Sequence, residues 1–150
     1  MQIRPLEQAD VSPTKELLRI LAPPNDPEGF IAKWLGGWPH EMDRGVVATD
    51  DGGEILGACC YRMLDGPRAA PEVIIVVRPE DQGRGVGRLL LRENIAQAKS
   101  AGHWAITAVI NPSNLGAKDL LDYFEFHLVR GPPDALHYVL MLDPEVHTSF

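Results

Sequence analysis

The spacing of apolar positions in the first half of the chain predicts a short strand, two helices and then a β-hairpin. Residues 3–6 predict a short first strand, and a polar cap followed by residues 13–20 predicts a helix. Residues 27–38 predict a second helix, because their large apolar side chains recur four residues apart. Residues 45–61 predict a hairpin whose two apolar strands are joined by a turn that contains two glycines.

The second half alternates strands and helices. Residues 72–77 are nearly all β-branched, which is typical of a strand covered on both faces in the middle of a sheet. A helix is predicted after it over residues 88–100, with Leu91, Ile95 and Ala98 along one apolar face. The remaining predicted elements are a strand over 103–110, a helix over 115–124, and two closing strands over 126–129 and 135–142. This order predicts a mixed α/β sheet with a βαβ unit at its centre.

Composition and charge narrow the class of protein. A chain of 150 residues predicts one domain over residues 1–150, and a net charge of −7 argues against a general nucleic-acid binder. No apolar run is long enough to cross a membrane, and the N-terminus lacks a secretory pattern, so we expect no membrane association and a cytoplasmic location. The two cysteines, Cys59 and Cys60, are neighbours that would face opposite sides of a strand, so we expect neither a disulfide nor a metal site.

A glycine-rich loop between a buried strand and a helix carries the clearest chemistry. Gly83, Gly85 and Gly87 allow the backbone to approach an anion closely, and the helix that follows offers its unpaired N–H groups. A dinucleotide fingerprint would need glycine where Arg88 stands, and the Walker, metalloprotease and serine-hydrolase motifs are absent. The loop therefore predicts a phosphate site of a different kind.

Residues 77–87 resemble the acetyl-CoA motif of the GNAT superfamily of N-acetyltransferases, V-x-P-E-x-(Q/R)-x-x-G-x-(G/A). Downstream, Asn114, Ala117 and Phe126 resemble the family's N-x-x-A helix and the aromatic residue that starts the next strand. The resemblance implies a mostly antiparallel sheet that is split between its two central parallel strands. It also implies that the pantetheine arm of acetyl-CoA lies in this split.

The resemblance implies three groups of cofactor-binding residues. The arm would pair with the strand near its end, the loop would hold the pyrophosphate, and an asparagine would contact the arm from the other side. Arg92, one turn farther along the helix, is a further candidate for a phosphate of the ligand. In order along the chain, the implied residues are Ile75, Val76, Val77, Gln82, Gly83, Arg84, Gly85, Val86, Gly87, Arg88 and Asn114.

The reaction that the resemblance implies is direct attack of an amine on the thioester, without a covalent intermediate on the enzyme. The N–H of Val77 would stabilise the oxyanion, and Glu72 or a chain of waters would accept the amine proton. The family's usual acid, a tyrosine, would fall at Leu121. Tyr123 lies about 200° farther around the helix, so it can be the acid only if that helix is distorted. Water, Tyr123 and Ser113 all remain candidates, and an acid need not be required.

Three functions fit these observations. The leading hypothesis is an enzyme that moves an acetyl group from acetyl-CoA to a primary amine of a small molecule, an amino acid or a peptide. A GNAT-like domain that binds acyl-CoA without turnover is the main alternative, and a binding protein for another nucleotide is a third. We also expect a homodimer, because the closing strands leave an edge that a second copy could pair with.

Overall fold

The computed structural model describes residues 1–21, 24–35, 44–63, 70–130 and 135–142. These residues form a mixed α/β fold in which helices flank a seven-stranded sheet. The strands are β1 (Gln2–Pro5), β2 (Gly45–Thr49), β3 (Ile55–Arg62), β4 (Glu72–Val77), β5 (Ala105–Ile110), β6 (His127–Arg130) and β7 (Leu136–Met141). The helices are α1 (Val11–Leu21), α2 (Pro27–Leu35), α3 (Val86–Ser100) and α4 (Leu115–Tyr123).

Element boundaries differ from the predictions by a few residues, for local reasons. Helix α1 begins at Val11, because the short 3-10 turn Gln8–Asp10 leads directly into it. Helix α3 begins at Val86 because Gly85, with φ of 86°, is its cap. Strand β5 starts at Ala105, since the turn after α3 continues to His103, whose N–H donates to the carbonyl of Ala98. The last residues of the predicted second helix, 36–38, lie outside the described residues.

The sheet has the order β1-β2-β3-β4-β5-β7-β6. All neighbouring strands run antiparallel except β4 and β5, which run parallel. These two strands pair only at Glu72 and Thr107, near the start of β4, and then separate toward their carboxyl ends. The predicted mixed, mostly antiparallel sheet with a split between its central parallel strands is therefore confirmed.

Two apolar layers cover the two faces of the sheet. Helix α3 packs on one face, where its predicted apolar residues Leu91, Ile95 and Ala98 are all buried. Helices α1 and α2 pack on the other face, through residues such as Leu18 and Ile31. Cys59 belongs to the first layer and Cys60 to the second, as the alternation of side chains along β3 predicts.

Helix α3 is fixed against the sheet by a glycine and by a buried amide. A Cβ on Gly57 would lie 2.8 Å from the carbonyl oxygen of Val76 and 3.1 Å from a methyl carbon of Leu90, so only glycine fits at this position of β3, beside β4 and against α3. The buried Asn94 side chain donates to the carbonyl of Arg44 across 2.9 Å, and thereby connects the helix to the residue that precedes β2. These contacts determine where the N-terminus of α3 lies. No helix in the described part of the chain is long and apolar enough to cross a membrane.

Candidate active site

The glycine loop follows the end of β4 through a 3-10 turn, Pro79–Asp81. Arg78 donates from Nε to Oδ2 of Asp81 across 2.6 Å, which fixes the turn and occupies this guanidinium. Gly83 and Gly85 have φ of 82° and 86°, in the left-handed region that residues with a side chain rarely adopt. Gly83 and Gly85 thus allow a backbone path that other residues would strain, whereas Gly87 lies inside α3 and has no positive φ.

The N-terminus of α3 has no side-chain cap. Gly85 offers no side chain, no acidic residue occupies the first turn, and the first helical hydrogen bond runs from the N–H of Leu89 to the carbonyl of Gly85. The N–H groups of Val86, Gly87 and Arg88 therefore lack acceptors within the helix. Together with the helix dipole, these donors suit an anion. Val86 contributes only its backbone here, because its side chain is buried in the core.

Two adjoining clefts run from this loop into the split of the sheet. The outer cleft, of about 490 Å³, is lined by the loop, by the exposed Arg88 and by the start of α4. The inner cleft, of about 410 Å³, lies between β4 and β5 and reaches Glu72. Both clefts share the lining residues Ile75, Val77, Gln82, Asn114, Ala117 and Leu120, so they form one groove.

Strand β4 presents to this groove backbone groups that no neighbouring strand pairs with. The N–H of Arg78 bonds the carbonyl of Leu56, and donors alternate sides along an antiparallel strand. Hence Ile75 and Val77 direct their N–H and carbonyl groups away from β3 and toward the split. Val76 borders the groove, but its polar backbone groups turn to Ala58 of β3, so it differs from the other two residues predicted to pair with the arm. The Val77 carbonyl accepts a hydrogen bond from Nε2 of Gln82 across 3.0 Å.

Asn114 begins α4 on the opposite wall of the groove. Its Oδ1 accepts the N–H of Ala117 across 3.1 Å, which explains the N-x-x-A spacing as a helix cap. Ser113, one of the candidate acids, donates from Oγ to Oδ1 of Asn111 across 2.7 Å. The backbone connection into α4 is therefore held by two asparagine side chains.

The candidate acids and bases divide between the groove and the surface. Glu72 is buried at the inner end of the groove, where it accepts a hydrogen bond from Nε of Arg62 across 3.1 Å. Leu121 lines the inner cleft, whereas Tyr123 lines neither cleft and is about half exposed. Helix α4 is regular over these positions, so it keeps the angular separation expected between the two residues.

Tyr123 instead contacts two arginines of α3. The guanidinium carbon of Arg88 lies 4.1 Å from the centroid of its ring, and Nη2 of Arg92 donates to its hydroxyl across 3.5 Å. The third candidate arginine, Arg84, is largely exposed and lies 3.9 Å from Asp81. The contacts of Tyr123 could not be predicted from sequence patterns, because they join two helices. The partner of Glu72 could have been found, since Arg62 stands opposite it in the antiparallel register.

Neither cysteine is suited to carry an acyl group. Burial raises the pKa of the Cys60 thiol to about 12 and that of Cys59 well above its usual value, so both stay protonated near neutral pH. In the described part of the chain, no cluster of three or more His, Cys, Asp or Glu residues could hold a metal ion.

Comparison with known proteins identifies the family. The sequence pattern of the Acetyltransferase (GNAT) family matches residues 13–126, and the chain belongs to that family. It is 32% identical over 88 residues to the L-amino acid N-acyltransferase MnaT of Escherichia coli, which covers 57% of this chain and 48% of that protein. It is 35% identical, with the same coverage, to the L-methionine sulfoximine/L-methionine sulfone acetyltransferase of Pseudomonas paraeruginosa. The chain thus spans about half the length of the curated relatives that it matches.

Solved structures share the fold over almost the whole chain. A GCN5-related N-acetyltransferase from Kribbella flavida superposes with a TM-score of 0.78 at 23% identity, covering 93% of this chain and 96% of that one. The yncA protein of Salmonella typhimurium, determined with its cofactor acetyl-CoA, superposes with a TM-score of 0.74 at 23% identity, covering 95% and 94%. At 23% identity, this structural similarity establishes the fold alone.

Proposed function

We propose that this protein transfers an acetyl group from acetyl-CoA to a primary amine of a small molecule, an amino acid or a peptide. The observation that carries the proposal is the groove itself, which joins a helix N-terminus without a side-chain cap to the open backbone edge of β4. A phosphate-bearing ligand with a long arm containing amides matches both ends of such a groove. The alternative is a domain that binds acyl-CoA without turnover.

The residues of the groove fit acetyl-CoA in a simple order. Its pyrophosphate would accept hydrogen bonds from the backbone N–H groups between Gly83 and Arg88. Its arm would pair with Ile75 and Val77 as an added strand. Asn114 would face the arm from the opposite wall. The Gln82 amide would have to release the Val77 carbonyl before the arm could bond there.

In the reaction, the amine nitrogen attacks the thioester carbon, the new C–N bond forms, the C–S bond breaks, and CoA leaves as a thiolate. An N–H of Ile75 or Val77 would stabilise the oxyanion. Ile75 is the better candidate, because it lies closer to the proposed base Glu72. Three residues of strand separate them by about 10 Å, whereas the five residues from Glu72 to Val77 span about 16 Å. Glu72, directly or through water, would accept the amine proton. No step requires a cysteine.

The curated relatives favour amino acids as acceptors within this proposal. One is named for L-amino acids and another for L-methionine sulfoximine and L-methionine sulfone. Each acceptor of this class has a primary amine beside a carboxylate, so the panel tested should pair amino acids with their amides and with simple alkyl amines.

The proposal is tested by binding and by thiol release. Acetyl-CoA should raise the melting temperature, because a ligand at 100 times its Kd stabilises the folded state by about 2.7 kcal/mol, and at least one amine of the panel should release CoA. Binding without release for every amine would favour the sensing domain. A response to ATP equal to that for CoA would favour another nucleotide.

A matched pair of glycine variants locates the ligand. Gly85 and Gly102 both have φ of 86°, and a Cβ on either would have no protein atom within 4 Å other than those of its neighbours in the chain. Gly85→Ala and Gly102→Ala should therefore lose similar stability, since both impose the same strained backbone. Only Gly85→Ala should also weaken acetyl-CoA binding, because Gly102 lies at the far end of α3. Equal binding by both variants would remove the pyrophosphate assignment.

A further inference from the structure

Two arginines of α3 are held by one tyrosine of α4. Arg88 stacks on the ring of Tyr123, with its guanidinium carbon 4.1 Å from the centroid, and Arg92 donates to the hydroxyl across 3.5 Å. The ring is itself fixed by the edge contact with Phe124, whose centroid lies 5.0 Å away at an interplanar angle of 87°. An exposed aromatic residue thus connects the two helices that border the outer cleft.

Among the described residues, neither arginine of this pair has a carboxylate as an ion-pair partner. Over the described residues, no carboxylate lies within 4.0 Å of the guanidinium groups of Arg88 or Arg92. Arg88 is the third residue of α3, where the helix dipole disfavours a cation. Arg88 also lines the outer cleft beside Gly85. Arg88 therefore does not stabilise the helix at this position, but it is well placed to bind an anion of a ligand.

We propose that Tyr123 is a positioning residue, whose ring holds Arg88 for contact with a phosphate group of the acyl-CoA ligand. The inference rests on the function proposed above. It gives Tyr123 a role other than proton donation, since its hydroxyl faces Arg92 and the residue lines neither cleft.

The physical advantage is pre-organisation. A free surface arginine loses much of its rotamer freedom when it binds a phosphate, and that loss weakens binding. Stacking on an aromatic face restricts the guanidinium beforehand while leaving its N–H donors at the rim available to the ligand. The effect should therefore appear in ligand affinity and not in the chemical step.

The test measures Kd for acetyl-CoA by calorimetry, together with kcat, for two substitutions at this position. Tyr123→Leu removes the ring and should raise Kd about two- to fivefold, which corresponds to an exposed cation–π contact, with kcat at saturation unchanged. Tyr123→Phe keeps the ring and should keep Kd within twofold of the wild-type value. A loss of kcat with Kd unchanged in both variants would overturn the proposal and make the hydroxyl the general acid.

A double-mutant cycle with Arg88→Gln identifies the partner through which the ring acts. If Tyr123 acts mainly by holding Arg88, Tyr123→Leu should have little further effect on Kd once Arg88 has been replaced. A full effect of Tyr123→Leu in that background, or equal Kd values for the Phe and Leu variants, would overturn the proposal. Failure of the wild type to bind acetyl-CoA would instead overturn the proposed function together with this inference.

Discussion

Replacing Glu125 with glycine should stabilise the protein. Glu125 has φ of 63°, and it is the one residue other than glycine with a positive φ in the described part of the chain. It follows the end of α4, where the N–H of Glu125 bonds the carbonyl of Asp122 and the N–H of Phe126 bonds that of Leu121, each across 3.0 Å. This is the left-handed helix end at which glycine is usually found.

The gain can be estimated from two opposing terms. The left-handed conformation costs a residue with a side chain about 1–2 kcal/mol, and glycine avoids this cost. The greater conformational freedom of glycine in the unfolded chain offsets about 0.4–1 kcal/mol of this gain. The Glu125→Gly variant should therefore be more stable by about 0.5–1 kcal/mol, which raises the melting temperature by about 1–4 °C in a chain of this length.

Chemical denaturation and a thermal scan both measure the effect, and Glu125→Ala is the matched control. Alanine removes the exposed carboxylate but keeps the strained conformation, so its stability should stay within about 0.5 kcal/mol of the wild type. A gain for alanine equal to that for glycine would show that the charge, and not the backbone, is responsible. No gain for glycine would refute the reasoning from φ.

Three further predictions concern the core, the thiols and the assembly. Gly57→Ala should destabilise the fold by about 1–3 kcal/mol, since its Cβ would lie 2.8 Å from a carbonyl oxygen of β4, and urea denaturation measures the loss. Cys59 and Cys60 should not react with a thiol reagent at pH 8 until the protein unfolds, because burial keeps both thiols protonated; rapid labelling of the native protein would contradict this. The expected homodimer should appear by light scattering, with the exposed Leu128 and Val129 of the outer strand β6 as its contact, and a monomer at all concentrations would count against it.

The order of the elements and the backbone conformation of the loop could be predicted from the sequence alone. Strand β4 has the bounds that its β-branched run predicts, and the apolar face of α3 is buried as its spacing predicts. These features follow from local rules, since period, caps and glycines act within a few residues of one another. The spaced glycines likewise predicted an anion site, because positive φ and close backbone approach are properties of the loop alone.

Which groups surround the groove depends on contacts between elements that are distant in the sequence. The divergence of β4 from β5, the Glu72–Arg62 pair and the stacking of Arg88 on Tyr123 all join residues from different elements. Such contacts depend on register and on helix packing, which the sequence pattern leaves free within a residue or two. Leu121 and Tyr123 are only two residues apart on α4, yet Leu121 lines the groove and Tyr123 lies at the surface. The packing of the helix therefore determines which of the two can contact a ligand in the groove.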